Sequence, residues 1–86
     1  MRYAIEFARE AETDIDFLYG ADRTLFRRVL NKIERLAEHP TAGKRLVGNH
    51  TGEYSLRVGA YRIVYEIDTK EHIVFILSIK HRKHVY

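Results

Sequence analysis

The chain has 86 residues, 45% of them hydrophobic and 31% charged, with no cysteine and no tryptophan. That length holds one domain, residues 1–86, below the usual size of roughly 100–150 residues, and the lack of cysteine excludes both a disulfide framework and a thiolate zinc site. The formal net charge of +3 reflects 15 basic residues against 12 acidic, and Lys80, Arg82 and Lys83, in a final stretch without acids, carry all of the excess.

Arg2 to Phe7 alternates Tyr3, Ile5 and Phe7 with Arg2, Ala4 and Glu6, which predicts a strand with one buried face. From Ala8 the period changes: Ala8, Ala11, Ile15 and Leu18 recur at helical spacing. Gly20 stands where a left-handed helix-ending glycine would, and Asp22 is placed to cap a second helix with its carboxylate. That helix carries Phe26, Val29, Leu30, Ile33, Leu36 and Ala37 on one stripe and stops at His39-Pro40. Loop is expected to about Gly52. Gly43-Lys44 is no phosphate loop, because Glu38 and Arg45 occupy positions where that motif needs glycine and Ser/Thr. Glu53 to Val58 and Tyr61 to Ile67 alternate again around a reversal at Gly59, and Asp68 to Glu71 reads as the next turn. Ile73 to Ile79 is apolar on both faces, as a central strand would be. The order β-α-α-β-β-β predicts an α+β fold, a helical hairpin packed on one face of a mostly antiparallel four-stranded sheet.

Two helices cover one face only, so function is expected on the other. If Val58 to Tyr61 forms a tight turn, Leu56 faces Ile63, Tyr54 faces Tyr65 and Arg57 faces Arg62, the arginines together on the open side. Like charges directly across a sheet repel, which points to an anion; local pairing of Arg62 with Glu53 or Glu66 is the alternative. The segment Lys44 to Arg62 holds Lys44, Arg45, Arg57 and Arg62 against Glu53 alone, while acids crowd Glu6 to Asp22. One basic side suits a polyanion such as nucleic acid. His81 and His84 are three apart, but no nearby Asp, Glu or Cys completes a site, so no metal and no cofactor is expected. The longest unbroken apolar run, Ile73 to Leu77, is far short of the roughly 20 residues of a membrane span. Met1 leads straight into alternating residues, so the expectation is no signal peptide, no membrane and a cytoplasmic location.

The strand Gly59-Ala60-Tyr61-Arg62-Ile63-Val64-Tyr65-Glu66-Ile67, followed by His81-Arg82-Lys83-His84-Val85-Tyr86, resembles the RelE group of the RelE/ParE toxin superfamily over nearly the whole chain. The resemblance implies the toxin of a type II toxin–antitoxin system: a ribosome-dependent, metal-independent messenger-RNA endonuclease. It would cleave in the ribosomal A site by attack of a 2′-hydroxyl on the adjacent phosphate, leaving a 2′,3′-cyclic phosphate and a 5′-hydroxyl. It also implies a RelB-like antitoxin that silences the toxin, and a toxin–antitoxin complex that binds operator DNA. By position, Arg62 matches the family's phosphate-contacting arginine, Arg82 the basic residue near the end and Tyr86 the terminal tyrosine that stacks on a base. Arg57 falls near a basic position of the preceding strand, and His81 is the candidate general base. Lys44, Arg45, Lys80 and Lys83 would be the remaining RNA-contacting cations. Ser55 departs from the pattern, standing where relatives carry a second lysine. The alternatives are a ParE-like inhibitor that binds DNA gyrase without nuclease chemistry, and a binding module with no toxicity.

Overall fold

The computed structural model describes residues 2–48 and 52–84 of the chain. Strand β1 (Ala4–Phe7) leads into helices α1 (Arg9–Ala21) and α2 (Arg23–Leu36), and a short 3₁₀ turn (Pro40–Ala42) precedes β2 (Lys44–Arg45). Strands β3 (Glu53–Val58), β4 (Tyr61–Asp68) and β5 (Ile73–His81) follow, and a second 3₁₀ turn covers Arg82–His84. The sheet has five strands in the order β1-β5-β4-β3-β2, antiparallel except for β1, which runs parallel to β5. The α+β architecture expected from the sequence holds, with one strand more than the four foreseen. Strand β2 escaped notice because two residues are too few to show an alternation.

Asp22 joins the two helices alone. Its backbone N–H donates to Leu18 O at 2.8 Å, closing α1, and its carboxylate accepts from Leu25 N at 3.0 Å, opening α2. The connection leaves no room for a glycine outside α1: Gly20 lies within the helix and does not adopt a positive φ. Arg23 reinforces the junction, its Nε donating to Tyr19 O at 2.9 Å and its guanidinium lying 3.9 Å over the Tyr19 ring.

Helix packing follows the apolar stripes. Ala11 and Leu18 of α1 and Val29, Ile33 and Leu36 of α2 are buried against Val58, Ile63, Tyr65, Val74, Ile76 and Ile79 of the sheet. On β5, Ile76 pairs with Tyr65 and Ser78 with Val64, so Leu77 is an extra residue in the ladder. This bulge shifts the alternation of β5 by one, so that Ile76 and Ile79, three apart, both reach the core. The β4–β5 reversal is held by Asp68, whose Oδ1 accepts from Lys70 N and Glu71 N at 3.0 and 2.9 Å.

Beyond Phe7, β5 has no β1 partner, and α1 covers this edge. Asp14 Oδ2 accepts from Ile79 N at 2.9 Å, while its Oδ1 lies 2.8 Å from Lys80 Nζ, which also reaches Glu10 at 3.2 Å. A carboxylate thus satisfies a strand N–H that would otherwise invite edge pairing. The hydrogen bond that Lys80 donates to Asp14 is the main cause that raises the Lys80 pKa above its usual 10.5. Burial raises that of Tyr65 above its usual 10.0. Both groups hold their protons more tightly in the folded chain than in the unfolded one. Below pH of about 10 both states are protonated and the contributions are complete; above it the unfolded chain releases protons first and stability falls. Melting temperature should therefore be level on the neutral side of roughly pH 10 and decline beyond it, and Tyr65→Phe should make that decline shallower. Thermal melts across this range, with wild type and Tyr65→Phe in parallel, read the difference directly.

Candidate functional site

The β3–β4 connection is the two residues Gly59 and Ala60. Gly59 has φ of 59° and Val58 pairs with Tyr61, the pattern of a type II′ hairpin, whose first central position favours glycine. From that turn the register follows: Leu56 opposite Ile63, Tyr54 opposite Tyr65 and Arg57 opposite Arg62. Tyr54, Leu56, Tyr61, Ile63 and Tyr65 pack toward the helices, so Arg57 and Arg62 project together from the open face. The two tyrosines stack at 5.5 Å between centroids.

Among the described residues, neither arginine forms an ion pair or a hydrogen bond. The alternative of a local pair with Glu53 or Glu66 is not realised, because those two residues oppose each other at the far end of the hairpin. Glu66 is four residues from Arg62, about 13 Å along a strand. The open face of the hairpin thus carries two acids at one end and two arginines at the other.

At the basic end, Arg57 and Arg62 line a pocket of about 390 Å³ with Ala42, Gly43, Lys44, Ser55 and Leu56. That is near the lower limit of ligand-site volumes, roughly 300–1,000 Å³, and suits a nucleotide-sized group. Lys44 enters it because β2 pairs with β3, Lys44 opposite Ser55 and Arg45 opposite Tyr54. Lys44 therefore shares the face of the arginines, whereas Arg45 alternates away from it and is exposed.

The remaining expected site residues separate. Lys80 faces Arg62 in the ladder, yet its ammonium is held by Asp14 and Glu10 of α1. His81 pairs with Tyr61 and their rings meet edge to face at 5.4 Å. The imidazole thus lies on the helix side, across the sheet from Arg57 and Arg62, in a second cavity with Thr13, Phe17 and Ile79. Its Nδ1 accepts from Lys83 N at 3.2 Å, which fixes the terminal turn. Arg82 and Lys83 are exposed, and Arg82 N donates to Ala60 O at 2.7 Å, tying this turn to the hairpin tip. Val85 and Tyr86 lie outside the described residues, as does His50. Among the described residues no three His, Asp or Glu side chains gather where a metal ion could sit, and no helix is long and apolar enough to cross a membrane.

Sequence reasoning missed two residues that shape this region. Asp14 read as one of many helix acids, and Tyr65 read only as a core position of the strand. Tyr65 is fully buried, but its hydroxyl donates to Pro40 O at 2.7 Å and accepts from Gly43 N at 2.9 Å. Partners 25 and 22 residues away leave no local signal.

Residues 5–86 match the family described as ParE toxin of type II toxin-antitoxin system, parDE. The chain is 33% identical over its whole length to toxin RelG of Mycobacterium tuberculosis (strain ATCC 25618 / H37Rv), covering 98% of that protein. In structure it is similar to a chain of the RelBE2 toxin–antitoxin complex of M. tuberculosis, with a TM-score of 0.84, 30% identity and coverage of 95% of this chain and 100% of that one. The archaeal RelE–RelB complex of Pyrococcus horikoshii gives 0.79, 25% identity and coverage of 99% and 100%.

Two like charges facing each other on the open face should not support the fold. Arg57→Ala and Arg62→Ala should each leave the melting temperature unchanged or raise it slightly, with a stability change under about 1 kcal/mol. The gain should shrink as salt screens the pair. Calorimetry at low and high ionic strength tests this, and a clear loss of stability would show a structural partner for that arginine.

Proposed function

This chain belongs to the ParE toxin family of type II toxin–antitoxin systems, within the RelE/ParE superfamily, and on that premise we propose that it is a metal-independent endonuclease acting on messenger RNA in the ribosomal A site. The observation that carries the reading is the Arg57–Arg62 pair, two cations held side by side on the open face with Lys44 at the same pocket. Such a pocket takes a phosphodiester, whose negative charge grows as it is attacked. The step is a transesterification: the 2′-oxygen bonds to phosphorus, the P–O5′ bond breaks, the 2′-hydroxyl loses its proton and the departing 5′-oxygen gains one. Guanidinium groups on that face favour the transition state over the ground state because the charge they meet is larger there.

In this reading Arg82, tied through its backbone to the hairpin tip, extends the cationic surface along the RNA with Lys83 as an outer contact, while Arg45, which alternates away from the arginine face, is not part of it. His81 sits across the sheet from the arginines, and in this reading it fixes the terminal turn rather than serving as the general base. Tyr86, outside the described residues, is assigned the base-stacking role that the family resemblance implies. The relatives solved as RelB complexes support a RelB-like antitoxin for this chain as well, and an antitoxin-bound form that recognises operator DNA. The family description names ParE, which supports one other reading, inhibition of DNA gyrase without nuclease chemistry.

Purified toxin, programmed ribosomes and a labelled message separate the two. Expected are cuts within the A-site codon, 2′,3′-cyclic phosphate ends, and no stimulation by added zinc or manganese. Arg57→Ala and Arg62→Ala should each lower the cleavage rate by roughly 100–1,000-fold. Removal of Tyr86 should weaken codon binding by about 1–3 kcal/mol if it stacks. Tyr86→Phe should then be near wild type, and a Phe variant as poor as the deletion would assign the hydroxyl to the chemistry. An intact message combined with loss of gyrase supercoiling would replace the nuclease reading with the ParE-like one.

A further inference from the structure

We infer that Tyr65 is a positioning residue for the phosphate pocket: its buried hydroxyl clamps the Pro40–Gly43 turn and so sets Lys44 in place as a third cation beside Arg57 and Arg62. The inference rests on the nuclease reading for its activity assay, and on the geometry alone for its binding assay.

The core does not need that hydroxyl. Tyr65 is fully buried among apolar side chains, where a phenylalanine ring would fill the same volume, and a hydroxyl there is costly unless it is bonded. Here it is bonded twice, and both partners belong to one turn: Pro40 O and Gly43 N. Gly43 is the residue immediately before Lys44. The turn is also pressed flat against the sheet, since a Cβ on Gly43 would lie 2.5 Å from the Tyr65 hydroxyl and 2.7 Å from Ser55 O. Strand β2 is only two residues long, and an edge strand this short has little pairing of its own to hold its register. The bond from Leu46 N to Glu53 O at 2.8 Å holds the chain after Arg45, and the Tyr65 clamp holds it before Lys44. Together they bring Lys44 opposite Ser55, and Ser55 is small enough to leave the pocket open to the lysine from the neighbouring strand. A cation that β3 itself does not carry at this position is thus delivered from β2.

The test is a double-mutant cycle read by ribosome-dependent cleavage with Lys44→Ala, Tyr65→Phe and the double variant. Lys44→Ala should lower the rate by on the order of 100-fold, as for loss of a charge contact to the transition state, and Lys44→Arg should restore most of it. Tyr65→Phe should lower the rate on the Lys44 background but by less than about twofold on the Lys44→Ala background, because both changes remove the same contact. A Tyr65→Phe variant at wild-type rate, or one whose loss multiplies fully with that of Lys44→Ala, would overturn the inference. So would a loss that merely tracks the folded fraction in parallel melts. Gly43→Ala is the second variant, displacing the turn with Tyr65 intact, and should reproduce the Lys44→Ala loss; full activity counts against the clamp. If wild type itself does not cleave, the nuclease reading fails and the clamp is judged by binding. The probe is then a 2′-O-methyl oligoribonucleotide at several salt concentrations. Lys44→Ala and Tyr65→Phe should each reduce the salt slope by about 0.7, one phosphate contact on a single strand. An unchanged slope in Tyr65→Phe overturns the inference independently of activity.

Discussion

The Gly59–Ala60 connection sets the parity of the hairpin, and parity decides which side chains reach the helices. A two-residue turn opposes Val58 to Tyr61; a pairing shifted by one residue would set the apolar residues of one strand on the same side as the arginine of the other, so that Tyr54 and Leu56 could not reach the helices together with Ile63 and Tyr65. Burial of Ile63 and Tyr65, both with no exposed surface, therefore enforces the register. The exposed juxtaposition of Arg57 and Arg62 follows from the same constraint. The apolar face holds the hairpin together while the polar face carries charges that repel.

That repulsion is tolerable because it is confined to one face of a domain whose other face is fully packed. A domain of this size buries only about 60–65% of its unfolded surface, so it has little stability to give away. Elsewhere the charges are placed to help. Asp14 caps an open strand edge and holds Lys80, and Asp22 serves two helix ends at once. The basic groups that find carboxylates lie toward the helices. Among the described residues, Lys44, Arg57 and Arg62 around the hairpin's open face do not, the asymmetry on which the proposed phosphate site rests.

The likeness to RelE-type toxins extends over almost the full chain and almost the full length of the relatives. Within this chain, the arrangement at β2 bears directly on the basic pocket. Ser55 leaves a gap on β3 that Lys44 meets from the next strand, and the turn that carries Lys44 is tied to the core rather than left as a surface loop. Catalytic precision in such a site depends on how rigidly its cations are held before substrate arrives. A buried tyrosine bonded to the preceding turn is a means of holding one.

The element order, the Asp22 cap, the one-faced sheet and the Arg57–Arg62 opposition were legible in the sequence, because each depends on spacing within one hairpin or one helix turn. Periods of two and 3.6 residues report which side is buried, and the hairpin turn converts that into a register. Four features came only from the tertiary structure: the fifth strand, the Leu77 bulge, the transfer of Lys80 to Asp14 and Glu10, and the placement of His81 on the helix side. Gly20, which reads as a helix terminator, lies inside α1 because Asp22 closes the helix directly. The Gly20 outcome is local, whereas the other four are decided by partners distant in the chain. Lys80 meets Asp14 across 66 positions and the Tyr65 hydroxyl meets Pro40 across 25. A charge count can place a lysine in a basic segment, but only the packed chain determines whether that lysine faces a carboxylate or an open pocket.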